Sequence, residues 1–370
     1  MSENTEKTVV TEKAAPAVEK KVPEKKAPEK KERIILDVAY QPQVRTNQDT
    51  AWIMRRVIYA LLPALVWSVV QFGWNSLLLV CTSVAAAVFF EWGYRKLLKK
   101  SISIDDYSAA LTGLLIGLSM PATAPWWVPV IGNLFAIVVV KQLYGGLGKN
   151  FLNPALAGRA FLLASYALIM GTYSVPAGLK GAVDGVTMAT PLTYLYGENA
   201  LPAYYSLKTM FVGTIPGAIG EVSTLLLLLG GIYLIIRKIV PWRIPVSFLG
   251  TVAVLTLIFG GGDMGNFDFM LYNLCSGSVV LAAIYMATDY STSPVTLNGQ
   301  LLYGAGCGVL TVLIRYFGGY PEGSTYAVLI MNLCTWAIDK GFHRHQFGVT
   351  KEDLAAEKAA KKAAKEAAKA

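Results

Sequence analysis

Charged residues are scarce in this sequence, and their scarcity excludes a soluble domain of any size. Only 15% of the 370 residues are charged, against about 25% in a soluble protein. The two terminal segments, 1–33 and 351–370, hold 26 of the 57 charged residues. The 317 residues between them are therefore poorer in charge than the average suggests. Long apolar runs in this middle part indicate membrane spans.

Histidines and paired cysteines are equally few. The four cysteines, Cys81, Cys275, Cys307 and Cys334, lie singly in apolar segments and form no CxxC pair, which favours small buried side chains. The two histidines, His343 and His345, follow the last apolar segment. This excludes bis-histidine haem and a histidine-rich metal site within the membrane, so we predict no metal centre on this chain. We also expect no complete catalytic site on this chain alone.

What the sequence has in abundance is apolar residues, which make up 54% of the chain with a mean hydropathy of +0.46. They predict an all-α integral membrane protein of about ten spans. The predicted spans are 57–72, 76–94, 107–120, 126–143, 155–170, 211–236, 244–260, 269–287, 301–317 and 325–338.

The distribution of charge predicts on which side of the membrane the loops and tails lie. Residues 1–40 form a Lys/Glu/Pro/Ala-rich tail that we expect to be disordered, and 341–370 form a polar tail. Basic residues concentrate in alternate loops, such as 94–100 and 237–243. By the positive-inside rule these loops and both termini are cytoplasmic. The net charge of +9 is therefore that of a membrane protein and does not indicate nucleic acid.

A weak internal repeat divides the spans into two halves. The stretch 112–125 resembles 276–294, and each is followed by a span and a Gly-Gly pair. The halves are then residues 41–170 and 211–340, with five spans each. Because five is odd, the second half must be inverted relative to the first. Inverted repeats place functional sites between the halves.

The external loop 171–210 joins the halves and carries the most informative motif. Loops this long are uncommon unless they are functional. The loop contains the sequence DGVTMAT, which comprises Asp184, Gly185, Thr187, Ala189 and Thr190 among its seven residues. This motif is similar to the acceptor site on which a flavin transferase esterifies FMN to the hydroxyl of the last threonine, here Thr190. A threonine hydroxyl can form such a phosphodiester, and the Asp and Gly can hold the loop open for the enzyme.

The resemblance extends over most of residues 40–340. Besides the motif, it rests on TAWIMRRVIYALLPAL (50–65), DYSAALTGLLIGLSMPATAPWW (106–127), LGKNFLNPALAGRAFL (147–162), PGAIGEVSTLLLLLGG (216–231) and MATDYSTSP (286–294). In this order, these blocks resemble the D subunits of Rnf complexes, which are ion-translocating ferredoxin:NAD oxidoreductases of the cell membrane. Related proteins are the B subunits of sodium-pumping NADH:quinone reductases.

The resemblance implies a subunit that relays electrons through covalent FMN. The implied partners are the A, B, C, E and G subunits, a flavin transferase and membrane lipid, with ferredoxin and NAD reached through other subunits. A second, noncovalent flavin (riboflavin or FMN) is implied by the quinone-reductase relatives. Two alternatives stay open: a quinone-reductase subunit, and a small-solute channel of similar inverted architecture. The coupling ion, Na⁺ or H⁺, is not set by the sequence.

Two charged residues inside predicted spans are further candidates for the site. Arg159 faces either a flavin phosphate or ring, or else extends to the cytoplasmic surface. Glu221 either bonds a flavin or serves ion movement, because carboxylates inside a membrane are functional by default. The alternative for Glu221 is a structural acid at a helix end.

Overall fold

The computed structural model is mostly helical and describes residues 48–179, 187–197, 201–202, 204–260, 264–318 and 322–342. Both predicted tails lie almost wholly outside these residues. In chain order the helices are α1 Thr50–Phe72, α2 Trp74–Leu97, α3 Ser108–Leu118, α4 Trp127–Leu134, α5 Pro154–Ser165, α6 Ala167–Met170, α7 Pro191–Leu195, α8 Leu207–Val212, α9 Thr224–Ile236, α10 Arg243–Phe259, α11 Asn266–Cys275, α12 Val279–Leu281, α13 Leu297–Phe317 and α14 Ser324–Gly341.

Several short elements complete the fold. α4 continues into a π-helical segment, Phe135–Gln142, and α12 into a second one, Ala282–Met286. Single 3₁₀ turns occupy Ile104–Asp106 and Ala177–Leu179. Strands β1 (Tyr173–Ser174) and β2 (Thr187–Met188) form an antiparallel pair at the base of the long loop.

The apolar helices identify a membrane protein. Within the described residues, α1, α2 and α13 are long and apolar enough to cross a membrane. The pair formed by α11 and the helix from Val279 to Met286 is also apolar enough, and its bend of 63° is that of a broken span or of a re-entrant loop. Shorter apolar helices lie at Ser108–Leu118, Trp127–Gln142, Thr224–Ile236 and Arg243–Phe259. Each of the ten predicted spans contains helix, but the long helix of the sixth begins only at Thr224.

Local signals explain where the principal helices begin. The Asp49 carboxylate accepts a hydrogen bond of 2.7 Å from Trp52 N at the start of α1. Asn153 caps α5 by accepting from Ala155 N at 2.9 Å, and Pro154 follows at the first helical position, where proline loses no hydrogen bond. Ser223 caps α9 in the same way. The cap at Asn153 therefore fixes where α5 begins. It thereby also fixes the position of Arg159, which lies in the second turn of that helix.

The sixth predicted span is broken because its first part pairs with another part of the chain. Ile219 N donates to Met120 O at 2.9 Å, and Gly220 N donates to Leu118 O at 2.6 Å. A Cβ on Gly220 would lie 2.6 Å from the Leu118 Cβ, so this approach requires glycine. The pairing satisfies backbone groups that have no helical partner, as an apolar environment demands. It also holds Glu221 beside the end of α3.

Helices that are distant in the sequence contact each other in the bundle, α1 with α9 and α5 with α14. At the first contact, a Cβ on Gly230 of α9 would lie 2.5 Å from the Ala60 carbonyl oxygen of α1. Small residues allow this close backbone approach between helices. The second contact places α5 next to the residues that precede α14.

Candidate functional site

The acceptor threonine of the motif lies between a strand and a short helix. Thr190 follows β2 in extended backbone conformation, and Pro191 begins α7 directly after it. Thr190 is half-buried, and its hydroxyl lies 3.1 Å from the Thr193 hydroxyl. Thr190 is thus held at a helix start with its hydroxyl oriented toward a neighbouring polar group. Of the other motif residues, Thr187 and Ala189 are exposed, while Asp184 and Gly185 lie outside the described residues.

Aromatic side chains fix the loop on both sides of Thr190. The Tyr205 hydroxyl donates to Ala189 O at 2.8 Å, one residue before Thr190. On the other side, the Tyr196 hydroxyl donates to Asn273 Oδ1 at 2.6 Å. Burial raises the pKa of Tyr196 to about 12, so the phenol keeps its proton at neutral pH and remains a donor.

Arg159 and Glu221, predicted separately, meet in one buried ion cluster. Arg159 is 1% exposed, and its Nη1 lies 2.5 Å from Glu221 Oε1. Its Nη2 pairs with Glu322 Oε2. Extension of Arg159 to the cytoplasmic surface is therefore wrong, because both carboxylates hold the guanidinium inside the protein. Glu221 lies in the irregular segment before α9 and not inside a helix.

Two carboxylates share one guanidinium in this cluster. The Tyr173 hydroxyl donates to the remaining Glu322 oxygen at 3.3 Å. Burial, reinforced by the Glu322 and Glu221 carboxylates, raises the pKa of Tyr173 well above its ordinary value. Tyr173 therefore stays neutral and adds no charge of its own. It also pairs with Met188 across the two strands, which links the cluster to the motif.

A cavity of about 150 Å³ joins Thr190 to this cluster. It lies between the end of α5, the motif loop and the start of α14. Its lining residues are Leu163, Ala167, Met170, Gly171, Tyr173, Thr190, Thr193, Glu322, Gly323, Thr325 and Tyr326. Part of the lining is apolar, and the rest carries hydroxyl groups and the Glu322 carboxylate. This combination is typical of a site for a mostly apolar ring with polar edges.

Glu322, Tyr173 and Thr325 were not predicted from the sequence. Glu322 lies two residues before α14 and is 163 residues from Arg159 along the chain. Its partner is set by the contact of α5 with α14, which local patterns do not reveal. A carboxylate next to the last span was the available signal, because buried arginines require partners.

A second buried arginine supports the motif loop. Arg315 of α13 donates from Nη1 to Asn273 O and Oδ1, both at 3.0 Å, and from Nη2 to Ser276 O at 3.2 Å. Asn273 Oδ1 is also the acceptor for Tyr196. The far end of α7 is therefore tied to α11 and α13 through one amide.

Comparison with known proteins agrees with this architecture. The model of the NQR2, RnfD, RnfE family matches residues 37–348, which is most of the chain. The chain belongs to this family.

Three relatives within the family are similar over nearly their whole length. The D subunit of the Na⁺-translocating ferredoxin:NAD⁺ oxidoreductase complex of Acetobacterium woodii is 46% identical over 319 residues, 85% of this chain and 96% of the relative. The D subunit of the proton-translocating ferredoxin:NAD⁺ oxidoreductase complex of Clostridium ljungdahlii is 41% identical, over 86% of this chain and 97% of the relative. The D subunit of the ion-translocating oxidoreductase complex of Shewanella amazonensis is 41% identical, over 82% and 95%.

Proposed function

We propose that this chain is the membrane-embedded D subunit of an ion-translocating ferredoxin:NAD⁺ oxidoreductase, and that it carries FMN esterified to Thr190. The identity of 46% and 41% to two D subunits of complexes with that name supports the first part. The observation that carries the second part is the cavity between Thr190 and the Arg159 cluster. The acceptor hydroxyl of the motif opens onto a space that suits one part of a flavin ring.

The residues present fit such a group. A cavity of this volume holds about one benzene-sized ring, so it would receive one end of the three-ring flavin system. Leu163, Ala167 and Met170 would contact the ring, and the hydroxyls of Tyr173 and Thr325 would face its polar atoms. When bound, FMN would supply transfer of single electrons between other redox centres.

The chain's own contribution is to position this group and set its electrostatic surroundings. Tyr205 and Tyr196 hold the loop on either side of Thr190. The Glu322 carboxylate of the Arg159 cluster lines the cavity, and a carboxylate at that position disfavours electron uptake by a nearby group. Burial of the cluster strengthens that effect, because buried charges are screened less than exposed ones.

The topology proposed for this function has ten spans in two inverted halves, with both termini in the cytoplasm of a cell-membrane protein. Thr190 then lies on the external face, where the flavin transferase acts. Irregular segments interrupt the sixth and eighth predicted spans, at Gly213–Ser223 and at Ser276–Ser278, and transporters built from inverted repeats place their sites near such interrupted helices. The proposed partners are the A, B, C, E and G subunits.

A second, noncovalent flavin fits less well. A cavity lined in part by Lys141, Asn153, Tyr285 and Asp289 lies on another side of the helices and has a volume of about 70 Å³. Less than one aromatic ring fits that space. The lining side chains would have to move before a flavin could enter this cavity.

In-gel flavin fluorescence tests the covalent attachment. The full-length protein, co-expressed with a flavin transferase and denatured, should show a fluorescent band that disappears in Thr190→Ala. Thr193→Ala is the matched control, because its hydroxyl lies 3.1 Å from that of Thr190 but outside the motif. A dark wild-type band, with the transferase active on a known acceptor, would refute covalent FMN and favour the channel alternative.

A further inference from the structure

One buried hydroxyl in the cavity lacks a partner. Thr325 is 1% exposed, and its Oγ1 has no hydrogen-bonding partner within the described part of the chain. Buried hydroxyls are nearly always bonded, and leaving one unbonded costs about 1–3 kcal/mol. Thr311 and Thr288 donate to carbonyls one helical turn before them, at 2.7 Å and 2.6 Å. Thr325 cannot do this, because it is the second residue of its helix.

The start of that helix is also without a side-chain cap. α14 has 18 residues, and its N-cap residue, Gly323, has a φ of 55° and makes no side-chain hydrogen bond. A Cβ at Gly323 would lie 2.9 Å from Thr311 O, so Ser or Asp cannot replace it without displacement. The first turn therefore keeps the partial positive charge of a helix N-terminus. Gly323 and Thr325 both line the cavity.

These two features share the cavity with the proposed attachment point. Thr190 and Thr193 line it from the loop, and Gly323 and Thr325 line it from the helix. The one carboxylate in the lining, Glu322, is engaged by Arg159 and Tyr173. The Thr325 hydroxyl and the partial positive charge at the start of α14 can therefore both interact with a ligand, and they favour an electronegative ligand atom.

We propose that the Thr325 hydroxyl donates a hydrogen bond to an electronegative ring atom of the flavin on Thr190 and, with the uncapped start of α14, raises its reduction potential. This rests on the proposed function. Reduction adds electrons to the ring, so a donor and a positive partial charge stabilise the reduced form more than the oxidised form. Thr325 is a positioning and tuning residue whose effect opposes that of the Glu322 carboxylate.

Redox titration of the purified full-length protein, followed by flavin absorbance, tests the proposal. Thr325→Val keeps the shape but removes the hydroxyl, and it should shift the midpoint potential downward with the same covalent flavin content. Thr325→Ser restores the hydroxyl and should restore the potential. If the Thr325→Val protein cannot be purified, Thr325→Ala, which also lacks the hydroxyl, takes its place.

Thr335→Val is the matched control on the same helix. Thr335 donates to Thr292 O at 2.9 Å and lies about 15 Å further along α14. Its removal should leave the potential unchanged. An unchanged potential in Thr325→Val, or equal shifts in the Val and Ser variants, would overturn the proposal. A wild-type protein without fluorescent flavin would refute the covalent attachment instead, and the two failures are therefore distinguishable.

Discussion

At the scale of single residues, the central feature is a guanidinium shared by two carboxylates. Arg159 contacts Glu221 from one segment and Glu322 from another. Such a cluster does not maximise stability, because apolar packing can replace buried charges at little cost. Its presence next to the cavity is better explained by the electrostatic field it creates. A role for Glu221 in binding a flavin or in ion movement stays a prediction, because Glu221 contacts Arg159 but does not line the cavity.

Removal of the shared cation should destabilise the protein far more than removal of a surface cation. We expect Arg159→Met to cost about 3–5 kcal/mol, because the buried Glu221 carboxylate and the partly buried Glu322 carboxylate would lose their shared counter-charge. Thermal unfolding in detergent measures this as a lowered midpoint temperature. The control Arg55→Met removes an exposed arginine of α1 and should change the midpoint little. Equal effects of the two variants would contradict the buried cluster.

At the scale of elements, the motif loop is held by one amide that joins three helices. Asn273 of α11 accepts hydrogen bonds from Tyr196 and from Arg315. Arg315 remains bonded to Asn273 if Tyr196 is lost. The loop should therefore loosen locally, without unfolding of the helices that support it.

The Tyr196 anchor should depend on pH only in the alkaline range. Its folded pKa is raised from 10.0 to about 12, so the anchor is fully formed below pH 10 and is lost as the pH rises through 12. Proteolysis of the loop should be flat below pH 10 and accelerate above it. Tyr196→Phe loses about 1 kcal/mol and should be cut about fivefold faster below pH 10, with a smaller alkaline rise. Identical pH profiles would refute the anchor.

The contact between α1 and α9 depends on one glycine. Gly230→Ala would place a methyl group 2.5 Å from the Ala60 carbonyl oxygen and closer still to the Tyr285 hydroxyl, which forces the helices apart. Gly250→Ala, in α10, meets nothing within 4 Å and should stabilise its helix by about 1 kcal/mol. Thermal midpoints in detergent should therefore move in opposite directions. A midpoint in Gly230→Ala at or above the wild-type value would show that the helices do not pack this closely.

Hydropathy predicted where helices occur, since each predicted span contains one within the described residues. It did not predict the break before Thr224, because residues 211–223 are apolar enough for a helix. Their pairing with residues 118–121 decides the outcome. Glu322 was missed for the same reason, as its partner Arg159 is distant in sequence. The hydropathy of a segment therefore indicates whether the segment is buried. Which other segment it bonds to depends on residues elsewhere in the chain.

At the scale of the whole molecule, overall similarity to the relatives does not identify the ion that is translocated. One relative belongs to a complex named for Na⁺ translocation and another to a complex named for proton translocation, at 46% and 41% identity. Both cover most of this chain, so overall similarity does not separate the two ions. The choice of ion must depend on a few side chains or on other subunits.

The orientation of the molecule can be tested at two exposed lysines. Lys208 lies near Thr190 in sequence, in the helix that ends the long loop, and Lys100 follows α2. If the loop is external, Lys208→Cys should react with a membrane-impermeant maleimide in intact cells, whereas Lys100→Cys should react only after permeabilisation. The native cysteines are replaced by alanine in both variants, because Cys81 and Cys334 are exposed. The reverse pattern would place Thr190 in the cytoplasm, out of reach of an external transferase.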